Sequence, residues 1–151
     1  MTKKILTILM VLCFVLSVAC AEKTPGPLMS KAIRIAEDGE NLIQMTEEDL
    51  YDVLGIEPDE YTDFAYLTDH DSLSGREIIL LRAKDEKAAE AVAEKLEDYR
   101  QYRLHMTQNY PDQAEAYRTL NLAEVQREDL LVVLSVAAPD PQEAGLLLQE
   151  E

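Results

Sequence analysis

Arg76-Glu77-Ile78-Ile79-Leu80-Leu81-Arg82-Ala83 runs directly into Lys84-Asp85-Glu86-Lys87-Ala88-Ala89. The first eight residues hold an unbroken apolar block, Ile78 to Leu81, between charged ends. A strand sends alternate side chains to opposite faces, so a block apolar at every position is dry on both. The residues that follow change period. Asp85 has a carboxylate suited to accept an orphan N–H of a first helical turn. From Ala89 the apolar residues recur at Val92, Leu96, Tyr99, Tyr102 and Met106, spaced by three or four, which is one stripe of a helix. The spacing predicts a helix from Asp85 to about Asn109, broken at Tyr110-Pro111-Asp112.

Working outward from this unit, Leu130 to Val136 is a second strand apolar on both faces. It follows a weakly alternating strand, Leu122 to Gln126, and a turn at Arg127-Glu128-Asp129. Glu60 to Leu67 alternates with Thr62, Phe64 and Tyr66 on one side, which predicts a strand, and Asp69 to Gly75 is a loop. Ser30 to Ile43 reads as a short helix with a bend at Asp38-Gly39. Thr46-Glu47-Glu48-Asp49 resembles a capping box and opens a helix that ends at Gly55. A further helix is expected from Pro111 to Leu120, and a short one from Asp140-Pro141-Gln142-Glu143, with proline at its first position. The order defines a single α+β domain: a mainly antiparallel sheet of two β-hairpins, a long helical crossover and flanking helices. The doubly apolar strands belong at the middle of the sheet, with Leu80, Leu81, Val132 and Leu134 in its core, and the alternating strands at its edges. Helices must then cover both faces, or one face must meet a partner.

The N-terminus reads as an export signal. Met1-Thr2-Lys3-Lys4 is basic, Ile5 to Val18 is an apolar run of 14 residues, and no acidic residue precedes Glu22. Such a run spans about 21 Å as a helix, against a bilayer core of about 30 Å, so it fits a signal better than a membrane span. Leu16, Ser17, Val18 and Ala19 then present small residues to a signal peptidase, ahead of Cys20. This is a lipobox, whose cysteine receives a diacylglyceryl group and becomes the new N-terminus. Ser17 stands where leucine is commonest, with Leu16 one step further out. Ala19-Cys20-Ala21 is also a small-x-small pattern, so ordinary cleavage after Ala21 and an uncleaved anchor are the rival fates. Lipidation is favoured by the cysteine itself: Cys13 falls in the removed segment and Cys20 is the lone cysteine after it. The expected organisation is a signal peptide over 1–19, the lipidated cysteine and a tether over 20–29, and one domain over 30–151. The expected location is the extracytoplasmic face of the cell membrane, held there by the lipid anchor. A lone cysteine allows no disulfide within one chain, so the fold rests on its core.

Cys20–Glu151 is 132 residues, enough for one domain with a proper core, and carries 30 acidic against 12 basic side chains, a formal charge of −18. That charge repels phosphate backbones and anionic headgroups, which excludes nucleic acid and electrostatic membrane docking as expected partners. Ala21 to Pro27 holds two prolines and a glycine, a short tether that keeps the domain close to the membrane.

The lipobox, the Glu77–Ala88 run of a Glu-Ile-apolar strand into Lys-Asp-Glu-Lys-Ala, the closing Asn109-Tyr110-Pro111-Asp112-Gln113 and the final apolar strand together resemble one family. It is the domain-of-unknown-function family 4358 of small Gram-positive lipoproteins, and the resemblance covers about residues 30–140. The family has no established activity, so the resemblance implies no catalytic residue.

The residues offer little chemistry beyond this. Asp69, His70 and Asp71 are candidate metal ligands, with Asp63 or Glu77 as further donors. A calcium loop counted from Asp69 requires oxygen ligands, glycine and glutamate where Leu73, Ser74 and Leu80 stand. A solvated acidic turn is the simpler expectation. Ser72 and Ser74 adjoin His70 without the third group or oxyanion hole that a nucleophilic site requires. The chain contains no Gly-x-Ser-x-Gly turn. Tyr99, Tyr102, Tyr110 and Tyr117 cluster at the end of one helix and the start of the next, either as a platform for a sugar or peptide or as a closure of the core. The expected function is a protein-interaction or accessory envelope module without catalysis and without a cofactor, its partner an envelope protein. Binding of a small ligand or metal ion is the alternative, and an envelope enzyme stands third.

Overall fold

The two doubly apolar runs lie side by side. Strand β3 (Glu77–Ala83) pairs antiparallel with β5 (Leu131–Val136), Glu77 opposite Val136 and Arg82 opposite Leu131. The computed structural model describes residues 26–70, 75–136 and 142–149. The signal segment with Leu16 to Cys20, the loop residues Asp71, Ser72 and Ser74, and the Asp140-Pro141 helix start lie outside the described residues. On the other side of β3 lies β2 (Tyr61–Thr68), with Tyr61 opposite Ala83 and Thr68 opposite Glu77. Beyond β5 lies β4 (Val125–Glu128). A two-residue β1 (Ile43–Gln44) meets only the last residues of β2, so the order is β1-β2-β3-β5-β4, antiparallel throughout. The chain is thus an α+β domain with its dry strands at the centre, as their composition predicts.

Helices cover both faces. On one, Tyr66, Ile79, Leu81, Val132 and Leu134 pack beneath α3 (Glu86–Thr107), flanked by α2 (Glu47–Leu54) and α4 (Ala114–Leu122). On the other, Ala65, Leu67, Ile78, Leu80, Leu131 and Val133 pack beneath α1 (Pro27–Ile35) and α5 (Glu143–Leu148). Leu80, Leu81, Val132 and Leu134 are all fully or almost fully buried.

Local chemistry accounts for most of the helix boundaries. Thr46 and Asp49 form a reciprocal capping box: Thr46 Oγ1 accepts from Asp49 N, and Asp49 Oδ2 accepts from Thr46 N at 2.7 Å. Gly55, at φ 64°, closes α2 in the left-handed conformation that costs other residues more. Asp85 Oδ1 accepts the Ala88 N–H at 2.8 Å and starts α3.

Four boundaries differ from expectation. α1 starts at Pro27 rather than Ser30 and buries Leu28 and Met29, so three residues expected in the tether belong to the domain. Proline at the first helical position, where no N–H is required, is the signal for this start. Ile43 leaves the first helical region for β1, a strand too short to show alternation. α4 runs through Leu122, which moves the next strand to Val125–Glu128. The hairpin then turns at Asp129-Leu130, with Asp129 at φ 49°, a conformation that aspartate tolerates.

Asp63 manages the outer edge of β2 and fixes where the chain enters. The register of β2 shifts between Tyr61 and Asp63, a bulge of the sort that blunts an open edge. The Asp63 carboxylate accepts the Phe64 N–H and, from α1, the Leu28 N–H, both at 2.9 Å. The N-terminal segment therefore joins the sheet at its Tyr61–Ala83 end. Because α3 follows β3 after a two-residue link, it starts at that same end and runs toward Glu77. Its 22 residues reach about 33 Å, against about 23 Å for the seven residues of β3. The helix outlasts the sheet.

Candidate functional site

At the Thr68–Glu77 end the apolar core gives way to two polar clusters, one on each face. Arg76 and Glu77 are consecutive, so the strand sends them to opposite sides. Arg76 Nε and Nη2 grip Asp38 at 3.3 and 2.9 Å, while Nη1 and Nη2 reach Glu143 at 3.0 and 2.8 Å. Ser135 Oγ donates to the same Glu143. Burial opposes the guanidinium's charge, but the bonds to Glu143 and Asp38 prevail and hold its proton more tightly than usual. This cluster clasps the segment after α1, the start of β3, the end of β5 and the start of α5. Gly75 immediately before it has φ 71°, and a Cβ there would lie 2.9 Å from Ala116 Cβ, so α4 packs against bare backbone.

Glu77, 1% exposed, holds the other face. Its Oε1 accepts the hydroxyls of Tyr66 and Tyr99, each at 2.8 Å, and its Oε2 accepts Arg103 Nη1 at 2.7 Å. Arg103 also lies over the Tyr99 ring, 5.8 Å from its centre, and Nη1 reaches the Tyr99 hydroxyl at 3.3 Å. Burial pushes the Glu77 carboxyl above its usual range, with Arg103 and the two hydroxyls pulling the other way. Burial and the nearby carboxylate push the Tyr66 hydroxyl up as well. The cluster ties β2, β3 and α3 together where the hydrophobic contacts run out.

The outer flank of α3 begins here. Ala89, Val92 and Leu96 are fully buried, but Tyr102 and Met106 are 62% and 44% exposed. The reason lies in the spacing. Each three-residue step falls about 60° short of a turn and each four-residue step overshoots by about 40°. From Val92 through Leu96 and Tyr99 to Tyr102 the stripe therefore drifts off the sheet, and the buried line continues through Arg103 and Thr107 instead. The flank differs in composition too. Residues 85–98 carry six acidic side chains, and residues 99–111 carry none in a chain with 30.

The four tyrosines are thus divided. Tyr99 closes the core with its hydroxyl on Glu77, while Tyr102, Tyr110 and Tyr117 are exposed at 62%, 52% and 37%. Among the described residues no ring contact joins them, the one aromatic pair being Tyr61 on Phe64. The expected metal donors are not assembled. Asp63 sits toward the far end of β2 from Asp69, bound to backbone amides, and Glu77 is enclosed by its own partners. His70 is exposed, and Asp71 lies outside the described residues. Among the described residues no group of three or more His, Cys, Asp or Glu is placed to hold a metal ion, and no helix is long and apolar enough to cross a membrane.

Sequence reading missed both polar clusters, naming Glu77 only as a possible metal donor. The signal was present: a charged pair opening an otherwise apolar strand must place one charge on each buried face.

An all-antiparallel, five-stranded α+β domain with helices on both faces is the class this architecture defines. Residues 36–137 match the family described as Domain of unknown function (DUF4358), and the chain belongs to that family. The matched span holds the whole sheet with α2, α3 and α4, and leaves out α1 and α5. No curated protein and no solved structure matches the chain.

Proposed function

We propose that this protein is a lipid-anchored lipoprotein on the extracytoplasmic face of the cell membrane, whose domain serves as a protein-interaction or accessory envelope module rather than an enzyme. The observation that carries the interaction reading is the outer flank of α3. Tyr102, Met106 and Tyr110 are exposed in an acid-free segment of an otherwise strongly acidic chain. Tyrosine, methionine and arginine are enriched at the centres of protein interfaces, where Lys, Glu and Asp are depleted. The anchor rests on the Leu16–Cys20 lipobox, and one diacylglyceryl group supplies the two acyl chains that stable membrane binding requires.

Two measurements test the halves separately. Wild-type protein should fractionate with membranes and Cys20→Ala should not mature at this site; an unlipidated mature N-terminus at Glu22, in the medium, would overturn the anchor. In intact cells, photo-crosslinkers placed along the exposed surface should join the protein to an envelope protein from the α3 flank. Lack of a protein adduct from every surface position would overturn the interaction module.

A further inference from the structure

Three arginines near this end of the domain differ in one respect. A guanidinium presents its Nε and Nη2 hydrogens in parallel, the edge that receives both oxygens of a carboxylate. Arg76 fills that edge with Asp38, at 3.3 and 2.9 Å. Arg100 fills it with Glu97, at 2.9 and 2.6 Å. Arg103 spends only Nη1, on Glu77 and the Tyr99 hydroxyl, and among the described residues its Nε and Nη2 have no acceptor. Its side chain is 21% exposed, and neither Nε nor Nη2 is among the buried polar atoms left without a partner, so the unused edge is reachable from solvent. The two Nη1 bonds and the Tyr99 ring hold the guanidinium in place beforehand, which removes much of the ordering cost of binding. Met106 lies one turn further along the helix, and Tyr102 adjoins Arg103 in sequence; both are exposed.

We propose that the last two turns of α3 dock a protein partner that places a carboxylate in the open Nε/Nη2 edge of Arg103 and apolar side chains against Tyr102 and Met106. This rests on the interaction reading above and names the chemistry of its partner. A phosphate on a lipid headgroup would satisfy the same edge, but the placement of the chain argues for protein. The N-terminal segment joins the domain at the Tyr61–Ala83 end, where Leu28 is tied to Asp63. The seven residues from Cys20 to Gly26, six links of chain, extend at most about 20 Å. Arg103 stands at the other end of the sheet, over Glu77, with α3 running away from the anchored end. The flank therefore lies at the end of the sheet opposite the one where the N-terminal segment joins. Within residues 99–111 the incoming carboxylate meets no like charge, and Glu77 beneath is already matched by Arg103 itself.

The test uses the full-length anchored protein in intact cells, with a photo-crosslinking residue at the exposed His105 and, as control, at the exposed Glu90. We expect one protein adduct from position 105 and none from position 90. Arg103→Lys keeps a cation over Glu77 but lacks the two-hydrogen edge, and should cut that adduct at least tenfold. Tyr102→Ala, which removes no buried contact, should do the same, and both variants should melt cooperatively like wild type. An adduct unchanged in Arg103→Lys, a lipid adduct, or an adduct of twice the chain's mass would each overturn the proposal. So would a protein adduct obtained from Val53 or Leu122 but not from position 105, an outcome that leaves the interaction module itself standing. Absence of an adduct from position 105 would overturn this proposal, and absence from every surface position would sink both readings.

Discussion

Arg76 and Glu77 place opposite charges on opposite faces of one strand, and each is matched by groups from distant parts of the chain. Breaking a buried pair leaves a charge uncompensated, whereas replacing both members with apolar groups is often neutral. Arg103→Leu should therefore cost about 3–5 kcal/mol in urea denaturation, and adding Glu77→Leu should recover a large part of it. Equal losses in the single and double variants would show that the pair is not coupled. The two clusters also differ in the sign of their pH dependence. Arg76 holds Asp38 below its ordinary value of 3.8, so Asp38 stabilises the fold above that value and the contribution is lost as pH falls through the lowered one. Asp38 is half exposed, which limits the effect to below about 1 kcal/mol, and Asp38→Asn should remove it. Burial holds Glu77 above its ordinary value of 4.5, so the folded state keeps this proton longer than the unfolded chain does. Stability should then decline as pH rises from 4.5 through the raised value, and Glu77→Gln should flatten that decline. Stability curves of wild type and both variants across acid to neutral pH check the two signs.

Among the elements, β5 and α3 carry the clearest contrasts between buried and exposed positions. Leu134 is 1% exposed between β3 and β4, while Glu90 points outward from α3. Leu134→Ala should cost about 2–5 kcal/mol and lower the melting temperature clearly. Glu90→Ala should stay within about 0.5 kcal/mol of wild type. Matching melting curves would mean that the strand or the helix register is wrong. Asp85 satisfies the first turn of α3 through Ala88, and Asp85→Ala should cost about 0.5–2 kcal/mol. The drift of the α3 stripe is also an element-scale effect. A sequence of three-residue steps keeps its apolar spacing on paper while rotating away from a flat sheet, and this is how Tyr102 and Met106 come to the surface.

For the whole molecule, the family-matching span and the folding unit are not the same. Residues 36–137 contain both central strands and one helical layer, but the opposite face of the sheet is covered by α1 and α5, which lie outside that span. Without them Ile78, Leu80, Leu131 and Val133 would face water, an exposed apolar patch of the sort that drives association. A fragment of residues 36–137 should therefore bind a hydrophobic dye and elute as oligomer, while 26–149 should elute as a cooperatively melting species without dye binding. A well-behaved, cooperatively melting monomer from the short fragment would show that the second layer is dispensable.

The local patterns settled much of this architecture in advance. Two blocks apolar at every position must lie inside a sheet covered on both faces, and the aspartate and threonine caps fix where α3 and α2 begin, because these effects act within a few residues. The family resemblance was legible for the same reason, in short runs such as Glu77–Ala88. Three things depended on contacts between residues far apart in the chain. β1 exists only because β2 offers it a free edge. Glu77 became an anchor for α3 because Tyr66, Tyr99 and Arg103 converge on it across 11 to 26 residues of sequence. The drift that turns Tyr102 off the sheet is written in the spacing, but that no neighbouring element covers it is decided by the tertiary structure. Periodicity along one helix shows which residues share a side; only the neighbouring elements determine whether that side is covered.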